Sequence, residues 1–155
     1  ISSNFLQIES LKFHYEGIIQ GNKKKKFKNW RIARKIFVNQ NKNIVEKYVY
    51  SKNSPYYMTL VQIMKKLKKY NKLDILKKNP DDKRENISPE KLLKDLVICG
   101  DVETVTEKIL DLRDKVGEFE TLTYVGIDWQ NPILAKKSMN LFGSKVINKV
   151  NRFLR

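Results

Sequence analysis

"LTYVGIDWQNP" runs from Leu122 to Pro132. Its first half is rich in β-branched and aromatic residues, which suit a pleated, half-buried surface. We read residues 121–127 as a strand. Asp128 and Trp129 follow it. Asn131 and Pro132 then carry the signature of a helix start, an Asn cap with proline at the first helical position. In open α/β sheets, ligands bind beyond the carboxyl ends of the strands. The stretch therefore sets the fold class and marks Asp128 and Trp129 as candidate site residues.

The same logic extends upstream. "GDVETVTEKILDLRDKVG" has an apolar stripe at Val105, Ile109, Leu112 and Val116, the spacing of one helix face. Asp101 caps it, Glu103 suits the positive end of its dipole, and Gly117 stops it. "SPEKLLKDLVI" opens with Ser88 as cap and Pro89 at the first helical position, and predicts a helix through residue 98. "KKNPDDKREN" (77–86) is charged, contains Pro80 and predicts a mobile loop. Before it, Tyr57, Leu60, Val61, Met64 and Leu67 form a stripe that starts at Ser54-Pro55, after a shorter helix that begins past Asn41.

"WRIARKIFVN" predicts a second strand over residues 31–38. Ile32, Arg34, Ile36 and Val38 share one face; Arg31, Ala33, Lys35 and Phe37 share the other. Phe5, Ile8, Leu11, Tyr15 and Ile18 predict a helix over residues 5–20, ended by Gly21-Asn22. Downstream, Met139, Phe142, Val146, Val150 and Phe153 predict the inner face of the final helix. The element order is α-β-α-α-α-α-β-α, an elaborated βαβα unit with parallel strands. Two parallel strands make a poor sheet alone, because both faces and both outer edges need cover.

The net charge of +15 raises nucleic acid or an anionic membrane as a partner. Against that, lysine supplies most of the positive charge, whereas bidentate phosphate and guanine contacts favour arginine. The lysines are spread along the chain, and asparagine and isoleucine are abundant, which fits a compositional bias. Lys23–Lys26 is the one true charge run and reads as a solvated loop. No apolar run reaches the ~20 residues that span a bilayer. No secretory signal pattern opens the chain. Cys99 is the single cysteine, so the expectation is a reducing cytoplasm and a buried small hydrophobe. His14 sits mid-helix, and no carboxylate–histidine set has metal spacing. No Gly-rich phosphate loop is present.

Four stretches, in order and at matching spacing, resemble the C-terminal end of the bacterial luciferase-like family of flavin-dependent monooxygenases. "WRIARKIFVN" resembles the seventh barrel strand, and "SPYYMTLVQIM" the Tyr-rich middle of the helical region after it. "ICGDVETVTEKILDLRDKVGEFETLTYVGIDW" resembles the family's helix with a Gly-(Ser/Asp)-Pro-Glu-Thr-Val start, followed by the eighth strand. "NPILAKKSMNLFGSKVINKV" resembles the last helix. The likeness covers most of residues 10–153 and is nearest to alkanal- and limonene-monooxygenase-like members.

The resemblance implies that residues 1–155 form one segment, the C-terminal part of a (β/α)8 TIM barrel of about 250 residues. Such a segment would be incomplete and inactive as a lone chain. It implies reduced FMN supplied by a separate reductase, O2 and a small organic substrate. The flavin carries the oxidation while the protein excludes water and orients the substrate. It also implies a homodimer or heterodimer of barrels, with a non-catalytic partner subunit or a basic nucleic-acid-binding module as the alternatives. Three positions depart from the pattern: Val102 stands for a proline, Ile127 for a histidine common in close relatives, and Asn148 near a terminal proline.

The implied substrate-pocket candidates are Trp129, Asp128 and Ile127 at the mouth of the last strand. Arg34 joins them, because a barrel strand is buried on both faces and a buried arginine must be paired. It either faces the barrel interior near the flavin or reaches an acid on a neighbouring strand. The residues that bind the flavin phosphate belong to earlier strands of the family fold and have no counterpart here.

Overall fold

The computed structural model describes residues 4–21 and 30–154. The Lys23–Lys26 run, Asn22 of the expected helix stop and the side chain of Phe5 lie outside the described residues.

Three parallel strands form the sheet, in the order β2-β1-β3. They are β1 (Arg31–Val38), β2 (Val97–Gly100) and β3 (Thr121–Val125). The central strand is β1. It pairs with β3 along Arg31–Lys35 and with β2 along Lys35–Val38. The helices are α1 (Asn4–Gln20), α2 (Lys42–Val45), α3 (Pro55–Lys69), α4 (Pro89–Leu96), α5 (Val102–Val116), α6 (Pro132–Leu141) and α7 (Ile147–Phe153). Two wide π-type turns, Glu46–Tyr50 and Phe142–Val146, extend α2 and join α6 to α7.

Strand β2 is a correction to the two-strand expectation. The helix opened by Ser88 and Pro89 stops at Leu96, and Val97–Gly100 is a strand. "LLKDLVIC" is apolar enough to continue a helix, and a four-residue run has too few positions to reveal a period of two. Tertiary pairing to the buried end of β1 decides it. Strand β3 ends at Val125, two residues earlier than expected.

The chain crosses from β1 to β2 through α2–α4 and from β2 to β3 through α5. Because β2 and β3 flank β1 on opposite sides, right-handed crossovers must run over opposite faces of the sheet. Two apolar clusters match that geometry. Phe37, Val97 and Cys99 meet Tyr48, Tyr56, Leu60 and Leu93 on one face. Ile32, Ile36 and Ile98 meet Val105, Ile109, Phe142 and Val146 on the other.

Local chemistry explains the element boundaries. Ser54, Ser88, Asp101 and Asn131 each accept a backbone N–H of the first turn of the following helix. Gly100 has φ +147°, and a Cβ there would lie 2.8 Å from the Thr104 side chain. The strand-to-helix corner before α5 therefore needs glycine. The charged 77–86 segment is tethered to its neighbours, with Arg84 bonded to Asp74 and to Asn71 Oδ1 (2.6 Å).

The final helix differs from its predicted face. Ala135, Ser138, Phe142 and Val146 are buried, whereas Met139 and Phe153 are exposed. The difference appears at Ser138 and Met139, ahead of the π-type turn that begins at Phe142. No helix among the described residues is long and apolar enough to cross a membrane.

Candidate functional site

The C-terminal end of the sheet is capped by an aromatic group. Phe37 packs on one face of β1, with its ring centroid 4.8 Å from Tyr48 and 6.0 Å from Tyr56. Both tyrosines are held by their hydroxyls as well as by packing. Tyr56 donates to the Ile36 carbonyl at 2.9 Å, and Tyr48 to the Ile127 carbonyl at 3.1 Å. Burial pushes the pKa of both phenols up, so they stay neutral donors. This group ties the α2–α3 region to the ends of β1 and β3.

The turn after β3 lies directly beside it. Ile127 is buried in the same cluster. Asp128 is exposed, and Trp129 is 60% exposed. The tryptophan is thus neither a buried cap under α6 nor sealed in a pocket; it stands on the rim. Gln130 Nε2 donates to the Asn53 carbonyl at 3.3 Å, and Asn131 caps α6. A Cβ at Gly126 would sit 2.8 Å from Cε1 of the Tyr124 ring, so a larger residue there would have to displace that ring.

Arg34 is 5% exposed and lies on the face of Ile32 and Ile36. Its guanidinium donates to Asn4 Oδ1 at 2.7 Å, to Gln7 Oε1, and to the Ala33 carbonyl at 3.1 Å. No carboxylate pairs with it among these contacts. Burial lowers its pKa to about 10, which leaves it a cation at neutral pH. Its amide partners come from α1, on the opposite side of the sheet from Phe37. A cleft of about 480 Å³ beside it is bordered by Ile8, Asp95, Leu96, Lys108 and Leu112.

The opposite face of β1 carries a residue that the sequence reading placed there without singling it out. Lys35 is 6% exposed, and its Nζ has no hydrogen-bond partner among the described residues. Burial lowers its pKa to about 8. Val97 and Val125 flank it in register. Above it the face is covered by Phe37; below it Ala33, Thr121 and Thr123 are exposed. The signal in the sequence was a lysine alternating with Ala33 and Phe37 in a central strand.

A buried serine was also missed. Ser138 Oγ accepts from the Val38 N–H at 2.8 Å and lies 2.9 Å from the Tyr124 hydroxyl. Cys99 is buried, and burial raises its thiol pKa; the Tyr50 hydroxyl lies 3.1 Å from its Sγ. His14 is an exposed position of α1. No group of three or more His, Cys, Asp and Glu side chains is placed to hold a metal among the described residues.

No family model matches the chain. No curated protein matches it in sequence. Its structure is similar to the oxygenating constituent of 3,6-diketocamphane monooxygenase from the CAM plasmid of Pseudomonas putida, a type II Baeyer-Villiger monooxygenase solved in complex with FMN. The TM-score is 0.79 at 18% identity, over 97% of this chain and 41% of that one. At that identity the likeness is one of fold: a mixed α/β arrangement that spans less than half of a flavin monooxygenase.

Proposed function

We propose that the chain forms the C-terminal part of a luciferase-like, FMN-dependent monooxygenase barrel that oxygenates a small organic substrate. The observation that carries this is the fold match along nearly the whole chain to part of an FMN-complexed monooxygenase. The sheet's unmet needs support it. Beside Arg31–Arg34, the second edge of β1 has no strand partner among the described residues, and neither has the outer edge of β3. One face of β3 is also bare, with Thr121, Thr123 and Val125 exposed. Parallel strands are normally covered on both faces, and further barrel strands would satisfy edges and face together.

Phe37, Tyr48, Tyr56 and Ile127, at the C-terminal ends of β1 and β3, are placed to border a flavin site that other barrel strands would complete. Bound there, reduced FMN would supply the oxidising chemistry with O2. Phe37, Tyr48 and Tyr56 would exclude water from the strand ends. Ile127 would wall the inner side, and Asp128 and Trp129 would meet substrate at the rim. By itself the chain would bind flavin weakly and not turn over.

The coding sequence upstream of Ile1 provides the test. An open frame continuing for about 200 residues would complete a barrel and supports the proposal. A start codon close to Ile1 would overturn it in favour of a non-catalytic luciferase-like subunit that packs on a partner barrel.

A further inference from the structure

Arg34 is a buried cation without a counter-charge among the described residues. It is 5% exposed, and its three bonds go to neutral oxygens: Asn4 Oδ1, Gln7 Oε1 and the Ala33 carbonyl. These use three of the five guanidinium N–H groups. The acids that border its cleft are engaged elsewhere. Asp95 pairs with Lys78 at 3.4 Å, and Asp111 with Lys115 at 2.7 Å. Once those pairs cancel, Arg34, Lys94 and Lys108 leave the lining positive. Lys108 Nζ is held by a neutral oxygen too, the Cys99 carbonyl at 2.9 Å. A desolvated cation is costly, and a hydrogen-bonded carboxylate is the partner that offsets that cost.

The backbone beside Arg34 shows where such a carboxylate would enter. Strand β2 pairs with β1 only from Lys35 onward, with Val97 opposite Lys35. Ahead of Val97 the chain is the end of α4. Over Arg31–Arg34, β3 is therefore the one strand that pairs with β1 among the described residues, and the other edge is open. The cleft of about 480 Å³ is bordered by Arg34, by Leu96 and Val97 where β2 begins, and by Asn4 and Ile8 of α1. An open edge is a template for a further strand, and residues side by side on adjacent strands share one face of the sheet. A free anion would answer the charge and leave the edge bare; an acidic strand answers both. We propose that the open edge of β1 takes a parallel strand whose Asp or Glu lies beside Arg34 and pairs with its guanidinium. The assignment rests on the barrel reading above, in which that strand precedes α1, and adds the strand's place and its acid.

The test starts from the coding sequence upstream of Ile1. The expected result is an Asp or Glu on the strand next upstream of α1, at a position that shares the face of Arg34. The full-length protein is then made with Arg34→Met, with that acid changed to its amide, and with both. Each single change should lower the urea midpoint, and the second should add nothing once the first is present. If Arg34→Met does not fold, a charge exchange replaces it: Arg34→Glu alone should abolish folding, and an arginine at the acid's position should restore it. If the frame completes a barrel but the strand has no acid on that face, or if the two changes add, the assignment falls and the flavin reading stands. A dimer that Arg34→Met dissociates, in a protein whose own strand lacks the acid, would give the edge to a second copy instead. A start codon close to Ile1 would overturn the barrel reading, and the assignment with it.

Discussion

Lys35 and Arg34 are adjacent cations in one strand, and alternation sends them to opposite environments. Arg34 keeps its charge by donating to amides; Lys35 keeps its charge at a cost. Its pKa falls from 10.5 unfolded to about 8 folded, so the unfolded state holds the proton more tightly. Below pH 8 both states are protonated and the full penalty applies. Between pH 8 and 10.5 the folded state releases its proton first, and stability rises with pH. The penalty at neutral pH is up to about 3 kcal/mol. Lys35→Met should therefore raise the urea midpoint at pH 7, and its advantage over wild type should shrink as pH climbs through that window. A midpoint lowered at pH 7 would show that the ammonium already has a partner. Ser138→Ala should act in the opposite direction. It strips the Val38 N–H and the Tyr124 hydroxyl of a buried oxygen, at about 1–3 kcal/mol, readable by urea denaturation.

Among the elements, the short corners matter most. Gly100 turns β2 into α5 at positive φ with Thr104 against it. Gly100→Ala should cost about 1–3 kcal/mol through strain. Asp101→Ala, one residue on, should cost about 1 kcal/mol through the lost cap. Thermal unfolding of the two variants separates strain from capping. The caps at Ser54, Ser88, Asp101 and Asn131 were legible because each is a local side-chain-to-backbone bond. Strand β2 was not, since nothing within Val97–Gly100 distinguishes four strand residues from a last helical turn. Nor was the burial of Ser138 in place of Met139 legible, since both fit the three-to-four-residue spacing back from Phe142.

For the whole molecule, the bare face and open edges of the sheet dominate. The isolated chain should show no turnover with reduced FMN, O2 and aldehyde or ketone substrates, and saturable turnover by it would contradict the proposed incompleteness. The charge of +15 supplies the competing test. Binding to duplex DNA or RNA should be weak and nonspecific. Sub-micromolar affinity falling steeply with salt would favour the basic-module alternative. Arg84 on Asp74, Lys115 on Asp111 and Lys149 on Glu103 show part of the positive charge paired at the surface.

By itself the sequence determined the parallel α/β class, the caps, most helix faces and the strand over residues 31–38, because each depends on local periodicity or a bond within one turn. It also placed Asp128 and Trp129 just past the last strand, with Ile127 at that strand's end. Only the tertiary structure decided that Val97–Gly100 pairs with β1, that Arg34 meets the side-chain amides of α1 and that Lys35 is a buried ammonium without an acceptor among the described residues. Those outcomes turn on which face of β1 each neighbouring element covers, a contact between segments about thirty to ninety residues apart in the chain, and no local pattern encodes it.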